Sequence, residues 1–225
     1  MIATVDRVNL KDYGQVRLLN IEAEAPRDWD CSGATHVHVS LPAGRAGQAV
    51  LEPQGFVFGD RTVDVEIRPA RTKLDYAKLV RIRPEAIYGH RQEILNIALA
   101  GFPYDRRFHV APDYDHRLAA VVLEAWVNEI DEVLICRLKD EVAGFLAFRT
   151  VAERRVAVHL AAIQEKYRSA GVALSLYAGA VDWAVERNFE AIEGRISSLN
   201  MPVMNLYAFL GASFSNPRDV YLKVV

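Results

Sequence analysis

The residues from Arg155 to Ala173 carry the chain's clearest chemical pattern. An apolar run, Arg155–Ile163, meets a polar turn in which Arg168, Gly171 and Ala173 stand in R-x-x-G-x-A spacing. A helix that begins at Gly171 leaves its first backbone N–H groups without intrahelical acceptors and places the positive end of its dipole among them. Small residues let a ligand come close to that backbone. Such a patch suits a pyrophosphate. An ordinary strand-to-helix turn with Ser169 as the helix cap is the other reading that the spacing allows.

The elements that must position this turn follow from hydrophobic period and punctuation. Short or alternating apolar runs predict strands at His36–Leu41, Phe56–Arg68, Lys78–Arg83, Glu132–Leu138, Val142–Thr150, Arg155–Ile163, Ala191–Ser197 and Asp219–Val225. Asp140-Glu141 reads as a hairpin turn, which makes its flanking strands antiparallel. Helical spacing covers Pro84–Ala100, Asp115–Ile130, Gly171–Arg187 and Met201–Leu210, with Pro84 and Pro202 in first turns. The helix after Gly171 is expected to bury Val172, Leu176, Ala180 and Trp183, and to turn Ser175, Gly179, Asp182 and Glu186 outward. It joins the strand ending at Ile163 to the one starting near Ala191. That crossover requires the two strands to be parallel, with a right-handed connection.

A weak echo relates Gln54–Phe58, which leads into a strand, to Leu210–Phe214, which does the same. With the polar segment Pro69–Ala77, it suggests a division into 1–72 and 73–225. The 225 residues are half hydrophobic (51%), so the chain is globular with a sizeable core. A net charge of −2 gives no nucleic-acid signal. No apolar run reaches the length of a membrane span, and Met1–Asp12 lacks a signal-peptide core, so a cytoplasmic location is expected. Cys31 and Cys136 form no metal pattern, which leaves free thiols and no metal site as the expectation.

From Lys78 onward the order is strand, two helices, hairpin strands, long strand, turn, helix, strand, helix, strand. This order resembles the GCN5-related N-acetyltransferase (GNAT) superfamily. Leu79–Pro84 is similar to the family's opening strand, and Leu160–Ile163 with Arg168–Ala173 is similar to its acyl-CoA motif. Asn200, Leu206, Tyr207 and Gly211 match its later pattern. The resemblance implies an α/β (α+β) fold: a central mixed, mostly antiparallel sheet flanked by helices, preceded by a smaller N-terminal half-domain of the same type. An N-terminal half without the acyl-CoA turn, Asp105–His109, and Gly211–Phe214 resemble a narrower group, the TDP-fucosamine acetyltransferase-like sugar-nucleotide N-acyltransferases.

The resemblance assigns roles. The turn amides of Arg168, Ser169, Ala170, Gly171, Val172 and Ala173 would hold the pyrophosphate of acetyl-CoA or another acyl-CoA. In the family the long strand splays from its neighbour, and the free backbone groups that meet the pantetheine arm would fall on Ala161 and Ile163. One N–H within Leu160–Ala162 would polarise the thioester carbonyl. Tyr207 would protonate the departing thiolate; a core tyrosine is its bland alternative. Asn200 would touch the pantetheine arm or simply cap the helix at Met201. Ala157 stands where many members carry a glutamate base. By the period of two, His159 shares a face with Ala157 and Ala161, which offers a base of suitable pKa class; a buried, satisfied histidine is the other reading.

For the acceptor, Arg81, Arg83, Arg91, Arg106, Arg107 and Arg117 supply cations, and Tyr104, Phe108, Tyr114 and Trp126 supply aromatic faces. Arginine forks suit a diphosphate and aromatic rings suit a base, although Asp105, Asp113 and Asp115 also fit a solvated mixed-charge surface. The expected partner is a small-molecule amine, foremost an amino-sugar nucleotide, attacked directly in a ternary complex with no acyl-enzyme. The sequence leaves the oligomeric state open, with a homodimer among the assemblies it allows. Another small amine, an amino acid, a protein amine, or a non-catalytic acyl-CoA-binding protein are the alternatives.

Overall fold

The computed structural model describes residues 7–14, 16–71, 75–79, 84–87, 91–101 and 116–225. Ten strands form one sheet: β1 (Arg7–Asp12), β2 (Arg17–Glu22), β3 (His36–Pro42), β4 (Val57–Ile67), β5 (Glu85–Ile87), β6 (Glu132–Leu138), β7 (Glu141–Ala152), β8 (Arg155–Ile163), β9 (Ala191–Ser197) and β10 (Ser213–Val224). Their order across the sheet is β1-β2-β3-β10-β4-β9-β8-β7-β6-β5. Only β2/β3 and β8/β9 are parallel; the other neighbours are antiparallel. β10 lies between β3 and β4.

Local chemistry explains the well-read elements. The β6–β7 hairpin turns on Lys139 and Asp140, both at positive φ (51° and 63°), which matches the right-handed twist of the strands. Glu141 therefore opens β7 and is not part of the turn. Val142–Phe148 is a continuous buried run, because helices cover both faces of β7. On one face, α4 (Val172–Glu186) and α5 (Met201–Phe209) cover Leu146, Phe148, Val156, Ile192 and Val65. On the other, α2 (Arg91–Gly101) and α3 (His116–Asn128) cover Phe145, Ala147, Ile135 and Leu160. α3 also reaches across the curved sheet to Leu18, Val220 and Leu222 through Val122. The short α1 (Arg45–Leu51) buries Leu51 beside Val39 and Tyr221.

Four expectations change. Lys78 and Leu79 lie in a 3-10 turn, Tyr76–Leu79, rather than in a strand, and residues 80–83 fall outside the described residues. Pro84 precedes a three-residue strand, not a helix. Glu85–Ile87 pairs with the edge of β6, and that pairing outweighs the segment's helical spacing. Asp219–Val225 is the second half of a longer β10: Pro217 reads as a strand breaker, but it sits in a bulge between Ser215 and Arg218, where Asn216 has φ 50°. Finally, Ser175 of α4 is fully buried and Gly179 abuts Pro84, whose Cγ lies 2.5 Å from where a β-carbon would stand. Of the stripe expected to meet solvent, Ser175 is buried, Gly179 and Asp182 are half-buried, and Glu186 is exposed. β1, β2 and α1 carry no strong period and were not anticipated.

Gly144 links this frame to the candidate turn. A β-carbon there would lie 2.9 Å from Ile163 Cγ1, 3.0 Å from Ala162 O and 3.1 Å from Val172 Cγ1. Backbone cannot yield as a side chain does, so Gly144→Ala is expected to cost about 1–3 kcal/mol of stability. Urea denaturation checks this; an unchanged midpoint would show that the β7–β8–α4 junction is loosely packed.

Candidate active site

The crossover places β8 and β9 side by side, but they pair only over Arg155–Ala157 with Ala191–Glu193. Beyond that point β8 follows β7 to Gly144, and β9 follows β4 to Thr62. The two strands therefore diverge, and the facing backbone of β8 loses its sheet partner. The Gln164 N–H donates to Ala143 O at 2.9 Å, which fixes the phase of the β7–β8 ladder. By antiparallel alternation Ala162 and Leu160 turn their N–H and C=O groups toward β7, while Ile163 and Ala161 turn theirs toward the gap. The two residues expected to meet a pantetheine arm are thus the two with outward backbone. Of the candidate carbonyl-polarising donors in 160–162, Ala161 is the one that faces the gap.

At the gap's open end the chain turns through a 3-10 segment, Glu165–Tyr167, into α4. Gly171 is the helix cap, with φ 76°, no capping side chain, and open space where a β-carbon would stand. Ser169 does not cap. The Arg168 N–H donates to Glu165 O (3.2 Å) and the Ala170 N–H to Tyr167 O (3.0 Å), so these two amides are engaged within the turn. The backbone N–H groups of Ser169, Gly171, Val172 and Ala173 have no backbone acceptor, and the first amide of α4 to find one is that of Ser175, from Gly171 O (3.0 Å). Four of the six expected amides are therefore open at the N-terminus of a helix fifteen residues long. The Arg168 side chain is exposed beside them.

Tyr207 lies on α5, whose ends match the sequence pattern. Asn200 is the N-cap, its Oδ1 accepting from Val203 N–H at 3.4 Å, and Gly211 follows the helix at φ 79°. The Tyr76 hydroxyl donates to Leu210 O at 2.9 Å and holds the far end of α5. Tyr207 is fully buried, and its hydroxyl makes no well-formed hydrogen bond, with the Tyr177 phenol as its polar neighbour. A β-carbon on Gly194 would lie 3.2 Å from that oxygen, 3.2 Å from Val65 Cγ2 and 3.9 Å from Val158 Cβ, so the phenol rests over Gly194 of β9. Burial, with the nearby Tyr177 phenol, raises the Tyr207 pKa well above its ordinary value. Tyr177 packs edge-on against it, with ring centroids 5.1 Å apart, and is itself pushed up to about 12. Tyr207 thus keeps its proton at neutral pH, as a proton donor must. Sequence reading missed Tyr177 and Gly194; a glycine inside a strand run is the signal that could have marked a close approach there.

His159 requires a correction. The β7–β8 register passes from Ala147/Leu160 to Phe148/Val158, so His159 is the extra residue of a β-bulge. The bulge breaks the period of two. Val156 and Val158 face α4 and α5, as does Ala161, whereas His159 and Leu160 both face α3. His159 therefore lies on the opposite face from Ala161. Its ring meets Trp126 edge-on at 6.0 Å, and its Nε2 is buried without a hydrogen-bond partner. Burial lowers its pKa, helped by the Arg149 cation and opposed by Glu129. The imidazole lies on one face of the sheet and the phenol on the other; a neutral imidazole can accept a proton and a neutral phenol can donate one.

Among the expected acceptor residues, Arg81, Arg83, Tyr104, Arg106, Arg107, Phe108 and Tyr114 lie outside the described residues. Arg117 falls within α3. Arg91 is exposed and donates to Asn128 Oδ1 at 3.4 Å, which ties α2 to α3. Cys31 and Cys136 are free thiols. No group of metal-ligating side chains occurs among the described residues, and no helix there is long and apolar enough to cross a membrane.

Comparison with known proteins gives a consistent outcome. Residues 92–212 match the model of the acetyltransferase (GNAT) family. A functionally unknown conserved protein from Staphylococcus epidermidis superposes with a TM-score of 0.68 at 12% identity, covering 92% of this chain and 84% of its own. A GCN5-related N-acetyltransferase from Sphaerobacter thermophilus gives 0.59 at 11%, covering 97% and 76%. A putative acetyltransferase of the GNAT family from Novosphingobium aromaticivorans gives 0.54 at 15%, covering 83% and 73%. At these identities the likeness is one of fold. No curated protein matches the chain.

Two outcomes are expected of this geometry. Ala173→Asp places a carboxylate in the first turn of α4, where the helix dipole favours it, so folding stability holds or rises by about 0.3–1 kcal/mol. The same charge repels a pyrophosphate, so acetyl-CoA affinity falls at least about tenfold. Thermal denaturation and calorimetric titration check the two effects, and unchanged affinity would move the phosphate site elsewhere. Because burial favours neutral His159, unfolding binds a proton once the pH drops below the ordinary histidine pKa. The stabilisation is present above that value and is lost as pH falls through the lowered one. His159→Gln should therefore flatten the stability profile below about pH 6.5; an identical profile would mean that His159 is free to charge.

Proposed function

This chain belongs to the acetyltransferase (GNAT) family, an N-acyltransferase whose co-substrate is acetyl-CoA, and we propose that its acceptor is the amine of an amino-sugar nucleotide. The family match carries the activity. The observation that carries the site is the diverging β8/β9 pair, with outward backbone at Ala161 and Ile163, open amides at Gly171–Ala173, and the buried Tyr207 hydroxyl over Gly194 of β9. An extended thioester with a pyrophosphate at one end fits that donor set. Bound acetyl-CoA supplies an activated acyl group and leaves as a thiol.

The chain's own residues do the rest. The amides of Ser169, Gly171, Val172 and Ala173 hold phosphate oxygens, with the Arg168 side chain beside them. Ile163 and Ala161 extend a strand-like ladder to the pantetheine amides, and Asn200 caps α5 with its amide nitrogen left for the same arm. The Ala161 N–H donates to the carbonyl oxygen where negative charge grows. Tyr207 releases its proton at Oη to the leaving sulfur. His159 draws the amine's proton through a water from the α3 face. Neither thiol enters: Cys136 is buried in the core beneath α4.

The nucleotide-sugar acceptor rests on the arginine- and aromatic-rich stretch from Arg81 to Trp126 and on the resemblance to the TDP-fucosamine acetyltransferase-like group. A homodimer and a cytoplasmic location belong to the same proposal. Acetyl-CoA consumption should be measured with a nucleotide-linked amino sugar, a polyamine and a peptide amine. The nucleotide sugar should give the highest kcat/KM; a preference for either other amine would replace it as acceptor. With the best acceptor, Tyr207→Phe should lower kcat by at least about 100-fold while acetyl-CoA binding is kept. An unchanged kcat would remove Tyr207 from the chemistry.

A further inference from the structure

On the α3 face of the sheet, the N-terminal strands build a polar basin of about 310 Å³. Two in-register rows form its floor. Asn9 pairs with Asn20, and Asn20 with His38, across β1, β2 and β3; one step along, Arg7 pairs with Glu22, and Glu22 with Ser40. Thr62 of β4 and Arg195 of β9 close its inner side.

The basin lies on the same face of the sheet as His159. Val63, Val65 and Ile192 face α4 and α5, so by alternation Thr62 and Arg195 face the other way, as His159 does. Arg195 follows Gly194, the residue against which the Tyr207 hydroxyl rests from the opposite face. Gly194 and Arg195 are consecutive in β9, so the Tyr207 hydroxyl and the basin lie on opposite faces of that strand. Trp126 joins the two regions, packing both against the core beside His159 and against the cluster of Leu18, Val220 and Leu222 that flanks the basin.

Charge in and around the basin is balanced. Arg195 donates to Asp64 (2.7 Å) and Glu22 (3.1 Å). The buried Arg218 donates to Glu24 (3.3 Å) and to Ser40 Oγ (3.0 Å). An oxyanion would meet Glu22 as well as Arg7, so a site for phosphate or carboxylate is poorly served here. Asn9, Asn20, Ser40 and Thr62 each offer both donor and acceptor capacity, which is what a hydroxyl requires, since it donates and accepts at once. Thr62 is 5% exposed, and its Oγ1 is buried without any hydrogen-bond partner. A ligand hydroxyl would give that orphaned group the partner it lacks.

We propose that this basin is the subsite for a neutral, polyhydroxylated ring carrying the acceptor amine, held by Thr62, Asn20 and Asn9 with the amine directed past Arg195 toward the β8/β9 gap. The assignment rests on the acyl-transfer reading above. It also accounts for β1–β4, which select the acceptor's ring while the diphosphate and base of a nucleotide sugar lie outside the basin.

Saturation-transfer NMR on the acetyl-CoA-loaded protein tests this, with UDP-glucosamine, glucosamine and cyclohexylamine as probes and circular dichroism to verify folding. The glucosamine ring protons should take up saturation in both hydroxylated probes, and cyclohexylamine should show none. Thr62→Val and Asn20→Leu should each cut the ring signal several-fold without changing acetyl-CoA affinity. Absence of ring signal in the native protein, or a ring signal in both variants as strong as in the native protein, would overturn the subsite. If the ring binds through Thr62 but nucleotide-linked and free sugars are acetylated equally, the subsite stands and the nucleotide requirement falls. If UDP-glucosamine is acetylated equally by native and Thr62→Val enzymes, the nucleotide reading stands and the subsite falls.

Discussion

Everything in this site depends on two parallel strands that separate after three residue pairs. A buried strand edge without a partner is costly, since each unmet backbone group forfeits about 1–3 kcal/mol. The fold carries that cost along β8 from Val158 to Ile163, because β7 and β4 each hold one of the diverging strands in register. The wedge is therefore a property of the sheet, not of a flexible loop. It presents an unfinished ladder that an extended, amide-bearing ligand can complete, and the N-terminus of α4 stands at its mouth with open amides for phosphate.

The bulge at His159 is the second constraint. It lets β8 keep pairing with β7 while changing which face its side chains meet. Before it, Val156 and Val158 complete the core under α4 and α5; after it, Leu160 and Ala162 complete the core under α2 and α3. One consequence is that His159 and Tyr207 are assigned to opposite faces of the sheet. Burial favours the neutral form of both, His159 being half-buried and Tyr207 fully so, which suits one to accept a proton and the other to give one.

Much of this was legible in the sequence where local chemistry is decisive. The boundaries of β6, β8 and β9 follow from apolar runs closed by turn residues, and the crossover dictated that β8 and β9 be parallel. Asn200 and Gly211 bracket α5 as cap and terminator because those residue types suit those backbone states. What was hidden depends on partners distant in the chain. No local signal announces that Pro217 sits in a bulge, that Glu85–Ile87 prefers the β6 edge to a helix, or that His159 is the extra residue opposite Ala147 and Phe148. The polar face of β1–β4 was equally hidden: Asn9, Asn20 and Thr62 are ordinary polar residues until strand register places them together.

The central claim is that the outward backbone of β8 and the amides opening α4 form one continuous ligand-binding edge. Residue-resolved amide hydrogen exchange with and without acetyl-CoA addresses it directly. The account predicts that the ligand slows exchange at Ala161, Ile163 and Gly171–Ala173, and leaves Leu160 and Ala162, already bonded to β7, unchanged. Protection spread evenly along β8, or appearing away from both β8 and the start of α4, would contradict it.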